Sequence, residues 1–211
     1  MCCLFLAASS TVAIAQTNVV DLVNPIIGTN GMGHTFPGAC VPFGLVQLSP
    51  DTDTIPHNVD GKYQPRSYEY CAGYQHKDSS IVGFSHTHFS GTGHSDLGDI
   101  LIMPTTGTLK LNPGTATNPD GGYRSRFSHD TEISRPGYYE VMLADYGVKA
   151  QLTTTQRVGI HKYTYPTNIE NQRIILDMIH GIYNYDGKVL WTNIRVENDT
   201  LVTGYRITNG W

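Results

Sequence analysis

The densest group of residues that could do chemistry lies between positions 83 and 99. Three histidines and two aspartates occur there among glycines, serines and threonines: His86, His88, His94, Asp96 and Asp99. Side chains alternate along a strand, so a His-x-His pair would place two imidazoles on one face, an arrangement that suits a transition metal. A hydrogen-bonded histidine pair that braces glycine-rich loops is the alternative interpretation of the same pattern.

A glycine-rich segment precedes this group, at positions 24–44. Its closely spaced glycines look like a phosphate-binding loop only superficially, because the Lys-Ser/Thr pair is absent and no helical pattern follows. Glycine lets the backbone approach a ligand or a neighbouring domain closely. We therefore expect this segment to line a binding surface, where His34, Phe36 and Phe43 supply hydrogen bonds and stacking.

Tyrosines are concentrated in a third segment, positions 68–76, which includes Tyr70 and Tyr74. A tyrosine ring offers an apolar face that can stack on a sugar ring and a hydroxyl that can bond to the sugar's rim. The alternative interpretation is that these rings are ordinary core residues. Both interpretations stay open from the residues alone.

The composition limits the kinds of fold and partner. The chain has 211 residues with 22 Gly, 11 Pro and 13 Tyr, and its formal net charge is −4. Many glycines and prolines favour turns and short strands over helix bundles. Since no cluster of Lys and Arg is present, nucleic acid is not expected as a partner.

Short apolar runs in the second half of the chain predict the strands that could position these residues. The predicted strands are Tyr138–Ala144, Val148–Thr155, Val158–Tyr165, Arg173–Met178, Val189–Val196 and Leu201–Ile207. Strands at this spacing, without a helical pattern between them, indicate an all-β, antiparallel sandwich or barrel. Positions 24–99 hold long loops of the kind that are usually functional, and positions 112–122 predict an exposed turn.

The first fifteen residues differ in composition from the rest of the chain. Residues 1–15 form an apolar run with a small-x-small cleavage pattern before Gln16, which predicts a signal peptide and export to the periplasm, the cell surface or the medium. The run is shorter than the roughly 18–20 residues that cross a bilayer, so no membrane span is expected after cleavage. Cys40 and Cys71 would remain, and either a disulfide or two thiols is compatible with export.

Taken in order, these segments resemble glycoside hydrolase family 92, the exo-acting α-mannosidases. The matching stretches are Val23–Thr29, Gly33–Ala39, Val41–Pro50, Gly73–Tyr74, Gly83–Gly93 and Asp96–Pro104. The resemblance implies an N-terminal sandwich of the galactose-mutarotase-like (supersandwich) kind, followed by an (α/α)6 domain, with the active site between them. It also implies inversion of configuration, a calcium ion that helps to distort the mannose ring, and mannose-containing glycans as substrates.

The resemblance also assigns roles to individual residues. In the family both catalytic carboxylates and the main calcium ligands lie in the helical domain, so no catalytic and no metal-ligating residue is expected in this chain. Tyr70 takes the position of a tryptophan that lines the leaving-group subsite. Tyr74, His34, His86 and His88 are the other predicted sugar contacts.

The end of the chain bears on its completeness. The sequence stops at Trp211, directly after a predicted strand, where a large aromatic residue would lack a covering layer. We therefore expect residues 16–211 to form a sandwich domain that is incomplete at the C-terminus and inactive without the helical domain. A free-standing carbohydrate-binding sandwich and a His-ligated metallohydrolase are the two alternative functions.

Overall fold

The computed structural model describes residues 18–53, 55–93, 96–182, 185 and 187–209. The predicted signal peptide, His94 and Trp211 lie outside these ranges. Within them the helical elements are short 3-10 helices, Val19–Leu22, Pro65–Tyr70, Pro119–Gly121 and His129–Thr131. No helix in this described part of the chain is long and apolar enough to cross a membrane.

Strands make up the rest of the regular structure. They are β1 (Ala39–Cys40), β2 (Gln47–Asp51), β3 (Asn58–Val59), β4 (Lys62–Tyr63), β5 (Ser80–Ile81), β6 (Gly83–Ser85), β7 (Leu101–Thr105), β8 (Ser125–Arg126), β9 (Ile133–Arg135), β10 (Tyr138–Leu143), β11 (Val148–Thr154), β12 (Gly159–Thr164), β13 (Arg173–Asp177), β14 (Val189–Asn198) and β15 (Leu201–Thr208). The six strands predicted after position 138 all form, with bounds within one or two residues of the prediction. The all-β prediction is confirmed.

Two antiparallel sheets form the body of the domain. The first has the strand order β1-β2-β6-β7-β13, and the second is a meander with the order β12-β11-β10-β9. Three further pairs, β3-β4, β5-β8 and β14-β15, are two-stranded ribbons. The fold is therefore the antiparallel β-sandwich that the sequence predicts.

Alternation of buried and outward side chains in β10 and β11 builds one half of the core. Their inward residues are buried almost completely: Tyr139, Val141, Leu143, Val148, Ala150 and Leu152. The first sheet supplies the facing half with Leu48, Phe84, Leu101 and Met103. Burial of side chains of this size stabilises the fold by about 1.5–3 kcal/mol each, which is why the period-two pattern fixes the register.

The β14-β15 hairpin is mostly exposed. Trp191 is 60% exposed and Val196 is 71% exposed, although both belong to residue types that strands usually pack. Arg206 ties the hairpin to the first sheet by donating to the carbonyl of Met178 at 3.3 Å. Exposed apolar side chains in such numbers mark a surface suited to packing against further protein.

The structure tests two smaller predictions about the first half of the chain. Cys40 is exposed and Cys71 is buried, and no disulfide joins them, so the disulfide alternative is not the one observed. Positions 112–122 are largely exposed and contain the 3-10 helix Pro119–Gly121, as the prediction of a surface turn requires.

The division between core and surface gives a direct test. Leu152 on β11 is 1% exposed, whereas Ile160 on the neighbouring β12 is 47% exposed. Leu152→Ala should lower the free energy of unfolding by about 2–5 kcal/mol, because it leaves a cavity in the core. Ile160→Ala should cost less than about 1 kcal/mol. Urea unfolding of the two variants measures both, and equal losses would contradict the assignment of the sandwich interior.

Candidate functional site

A buried carboxylate flanked by two histidines lies in the glycine-rich half of the domain. Oδ1 of Asp51 is 2.9 Å from Nε2 of His88, and Oδ2 is 2.6 Å from Nε2 of His180. All three side chains are at most 3% exposed. Asp51 ends β2 and His180 follows β13, at a separation of 129 positions in the sequence. The interaction therefore ties together distant parts of the first sheet.

Hydrogen bonds fix the ring of His88 from both sides. Its Nδ1 donates to the backbone carbonyl of Gln47 at 2.7 Å, and its backbone N–H donates to Oε1 of the same residue at 3.2 Å. Its Nε2 faces Asp51 and also lies 3.1 Å from Oγ of Ser85. His88 is thus held inside the protein as a positioning residue for the loop that carries it.

The charge state of Asp51 follows from its neighbours. Burial by itself would raise the pKa of Asp51, but the attraction of His88 and the hydrogen bonds from His180 and His88 outweigh burial. The pKa of this carboxyl is therefore held well below its usual range. A carboxylate that stays ionised at neutral pH acts here as an anchor for two imidazoles and not as a proton donor.

Gly73 closes one side of this cluster. Its φ of +77° lies in the left-handed region, and a Cβ at this position would overlap Oδ1 of Asp51. The carbonyl of Gly73 accepts a hydrogen bond from the backbone N–H of Thr52 at 2.8 Å. Only glycine allows the backbone to come so close to the carboxylate. This close approach explains why position 73 in the Gly73-Tyr74 pair is a glycine.

The glycine-rich segment 24–44 packs against the same cluster. The ring of Phe36 lies 5.2 Å from that of His88, and His34 meets Tyr68 edge-on at 4.8 Å. The carbonyl of His34 accepts the N–H of Gly91 at 2.6 Å. The three segments that the sequence singles out, around positions 34, 70 and 88, thus come together in space.

His34 carries an unusual feature. It is only 6% exposed, yet among the described residues its Nε2 has no hydrogen-bond partner. Its backbone also has a φ of +50°, which is uncommon for a residue other than glycine. A buried ring nitrogen without a partner costs stability unless a ligand or a neighbouring domain satisfies it. His34 is therefore the predicted site residue whose polar atom is available for binding.

His86 belongs to a second network, although only one residue separates it from His88. Its Nδ1 donates to the carbonyl of Ile100 at 2.8 Å, and its Nε2 lies 3.1 Å from Nε2 of His161. Nδ1 of His161 is 2.7 Å from the hydroxyl of Tyr163. One run of donors satisfies all these contacts: Tyr163 donates to His161, His161 to His86, and His86 to the carbonyl. Both imidazoles are neutral in this arrangement.

The surroundings of this pair favour the neutral form of both rings. Burial and the neighbouring His86 lower the pKa of His161 to about 3. Burial likewise lowers the pKa of His86, although its bond to the carbonyl of Ile100 acts in the opposite direction. Ile100 presents that carbonyl from a φ of +55°, a strained conformation for a β-branched residue.

Tyr70 and Tyr74 are both 1% exposed. The hydroxyl of Tyr70 donates to Asp78 at 3.1 Å, and that of Tyr74 donates to Oε1 of Glu132 at 2.9 Å. Burial, together with these carboxylates, raises the pKa of both phenols. Neither ring offers a face to solvent in this chain, and their role as sugar contacts stays a prediction.

The histidines that the alternative of a metallohydrolase would use as ligands do not converge. The ring of His88 faces Asp51 while that of His86 faces His161, and His94 lies outside the described residues. The described part of the chain brings three ligands of metal-binding type together elsewhere, at His76, His129 and Glu132. Sequence reasoning missed this cluster.

Three further neighbours of the predicted residues were also missed. Asp51 directly follows the stretch Val41–Pro50, which gave a weak signal that it belongs to the site. His161 and His180 are isolated histidines in or beside ordinary strand patterns, so nothing local distinguishes them.

Comparison with known proteins supports the family resemblance that the sequence segments carry. Residues 22–211 match the glycosyl hydrolase family 92 N-terminal domain. A family 92 α-mannosidase from Bacteroides thetaiotaomicron, solved in complex with mannoimidazole, is 45% identical with a TM-score of 0.81 over 92% of this chain and 23% of that protein. An inverting mannosidase of the family from B. thetaiotaomicron VPI-5482 is 25% identical with a TM-score of 0.64, over 94% of this chain and 24% of that protein.

A relative from the fungus Arthroderma benhamiae is described as an uncharacterized secreted glycosidase. It is 29% identical over 169 residues, which are 76% of this chain and 19% of that protein. The match over residues 22–211 identifies the sandwich as an N-terminal domain of a glycoside hydrolase. The chain belongs to glycosyl hydrolase family 92, as the sequence pattern implied. It spans about a fifth to a quarter of the length of these relatives.

The buried carboxylate of Asp51 leads to a prediction about stability at acid pH. The unfolded chain takes up a proton on Asp51 near its ordinary pKa of 3.8, whereas the folded chain does so only at lower pH. The stability that this carboxylate contributes is therefore present above about pH 4 and is lost as the pH falls further. Asp51→Asn should cost about 3–5 kcal/mol and flatten this acid limb. Thermal melts from pH 3 to 7 measure both effects, with the exposed Asp130→Asn as the control. An Asp51→Asn variant as stable as the parent chain would refute the anchor.

The neutral histidine pair predicts a second, separate pH dependence. Unfolding exposes His161, which then takes up a proton near its ordinary pKa of 6.5, while the folded pKa is about 3. Stability from this group is thus complete above pH 6.5 and declines as the pH falls towards 3, by up to about 1.4 kcal/mol per pH unit. His161→Phe should reduce the slope of unfolding free energy between pH 6.5 and 4. An unchanged slope would mean that His161 is protonated in the folded chain.

Proposed function

We propose that this chain is the N-terminal domain of an exported, calcium-dependent, inverting exo-α-mannosidase. In this proposal its glycine-rich loops form one wall of a mannose-binding pocket, and a following (α/α)6 domain supplies the catalytic carboxylates and the main calcium ligands. The observation that carries the proposal is the likeness, at 45% identity and a TM-score of 0.81, to an α-mannosidase solved with mannoimidazole. The description of a second relative as an inverting mannosidase supports the stereochemistry, and that of a third as secreted supports export.

The chemistry of the buried site supports a division of labour between domains. Inverting hydrolysis needs a carboxylic acid and a carboxylate roughly 6.5–9.5 Å apart on either side of the glycosidic bond. Asp51 is enclosed between His88 and His180 and is kept ionised, so it is unsuited to donate a proton to a leaving group. We therefore assign the chain the task of shaping the pocket, without a catalytic residue of its own.

The partner-free nitrogen of His34 fits this task. It lies in the glycine-rich segment, is almost fully enclosed, and has no protein partner among the described residues. A sugar hydroxyl is both donor and acceptor, so it can satisfy this nitrogen in either tautomer. His86 and His88 would act from behind by fixing the loop, Tyr74 would brace it, and Tyr70 would stack on the leaving-group sugar.

Three exposed apolar side chains in or directly after the same segment, here called the rim, fit the proposed following domain. Phe43 is fully exposed, Leu45 is 69% exposed and Met32 is 62% exposed. Large side chains that remain in water next to a binding loop are suited to burial against another domain. In the proposal this rim packs against the helical domain and closes the pocket from the second side.

The proposal is tested on the full-length protein that carries these residues. It should release mannose from α-mannosides, the first product detected by NMR should have the inverted anomeric configuration, and a chelator should abolish the activity until calcium is restored. Residues 16–211 alone should show no turnover of aryl α-mannosides. Turnover by this domain alone that disappears in His86→Ala, or binding of mannosides by the full-length protein without hydrolysis, would contradict the proposal.

Tyr70 tests the pocket wall at one residue in that same protein. If Tyr70 stacks on the leaving-group sugar, Tyr70→Ala should lower kcat/KM for a mannose disaccharide by about tenfold or less, because such stacking contributes on the order of 1 kcal/mol. An activated aryl mannoside should be affected less, and Tyr70→Trp should be tolerated. Tyr63→Ala, at an exposed tyrosine, is the control. Unchanged disaccharide kinetics with a lower Tm would identify Tyr70 as a core residue only.

A further inference from the structure

Two histidines and a glutamate form a compact cluster outside the Asp51 site. His76 lies in the loop after the 3-10 helix Pro65–Tyr70, His129 begins the 3-10 helix His129–Thr131, and Glu132 follows it directly. One ligand atom from each of the three side chains lies within 4.8 Å of the other two. The three residues are brought together from two separate loops, so the fold, and not a local motif, creates the cluster.

Glu132 is oriented as metal-binding carboxylates usually are. Its side chain is only 3% exposed, and three donors hold its two oxygens, with the hydroxyl of Tyr74 shared between them. Oε1 accepts from the hydroxyls of Tyr139 at 2.6 Å and Tyr74 at 2.9 Å, while Oε2 accepts from Tyr74 at 3.0 Å and from Nδ1 of His129 at 2.6 Å. Outer groups that hold a ligand carboxylate in this way preorganise a metal site.

The imidazoles of His76 and His129 stack on each other next to this carboxylate. Their ring centroids are 4.0 Å apart with an interplanar angle of 36°, and one nitrogen of each ring lies within 4.8 Å of a carboxylate oxygen. The side chain of His129 is 37% exposed, which leaves the cluster open to solvent on one side. An ion can therefore enter without rearrangement of the core.

The ligand types select the kind of ion. Calcium and magnesium prefer shells made of oxygen atoms, whereas two imidazoles with one carboxylate suit zinc and its neighbours in the first transition series. Zinc–nitrogen bonds of about 2.0–2.1 Å in a tetrahedron place ligand atoms about 3.3 Å apart. The ligand atoms of the three side chains already lie within 4.8 Å of one another, so binding requires them only to close in towards that spacing.

We propose that His76, His129 and Glu132 bind a divalent transition metal of the zinc class. The ion would link the loop at His76 to the residues just before β9. The same loop is joined to the glycine-rich segment, because the backbone N–H of His76 donates to the carbonyl of Thr29 at 2.8 Å. The site differs in ligand chemistry from the calcium of the proposed function, which would prefer oxygen ligands. It stands whether or not the chain is part of a mannosidase.

The test uses the purified full chain, stripped with a chelator and then titrated with Zn²⁺. We expect about one bound zinc per chain, with a Kd on the order of 1 µM or tighter. Zinc at about 100 times the Kd should raise the Tm by about 5 °C or more. Cobalt bound in place of zinc should give the visible absorption of a tetrahedral or five-coordinate site.

Variants distinguish the cluster from adventitious binding. His129→Ala removes an exposed ligand and should weaken zinc binding at least tenfold while the metal-free Tm changes little. Glu132→Gln and His76→Ala should have the same effect on affinity, and Tyr139→Phe should have a smaller one through the carboxylate. His161→Ala, which removes a histidine of the other pair, should leave affinity unchanged.

Two outcomes would overturn the proposal. Absence of zinc binding at 100 times the expected Kd would mean that His129 and Glu132 form only a hydrogen-bonded pair beside a stacked imidazole. Zinc binding that is unaffected by His129→Ala, or lost in His161→Ala, would place the metal elsewhere. Because His129 is partly exposed and its variant should fold, either result can be read without ambiguity from Kd and Tm together.

Discussion

The glycine-rich half of this domain depends on one buried charge. Asp51 is at most 1% exposed, and removing an ionised carboxylate from water costs several kcal/mol unless it is paired. Its two partners come from different regions, His88 from the loop after β6 and His180 from the turn after β13. Because both must reach the same carboxylate, the loops that carry them are fixed relative to the first sheet.

Long loops that are otherwise poor in regular structure gain their order from this pairing. Phe36 packs on His88, and the backbone at Gly73 comes against Asp51 where no side chain would fit. His34 then rests on these loops with an almost enclosed ring and a ring nitrogen that lacks a partner. The strain at His34 and Ile100 is tolerated because the surrounding network holds the backbone in place.

Histidine serves three different purposes within this small domain, and the neighbours decide which. Beside the ionised Asp51, His88 and His180 hold a buried carboxylate by hydrogen bonds. Facing each other between a carbonyl and a phenol, His86 and His161 stay neutral, since burial lowers the pKa of both. Beside a carboxylate that two tyrosines orient, a further pair forms an open cluster with the ligand set of a transition metal.

The sequence by itself determined the fold class, the strands after position 138 and the family. Alternation of apolar and polar residues is a local pattern, and turn residues mark where each strand ends, so β10, β11 and their neighbours could be predicted closely. It also singled out the segments around His34 and His88, which the fold brings together, as candidates for binding. Only the tertiary structure decided which atoms meet. The bonds of Asp51 to His180 and of His86 to His161 join residues that no local pattern connects, because their contact depends on how the sheets pair and pack.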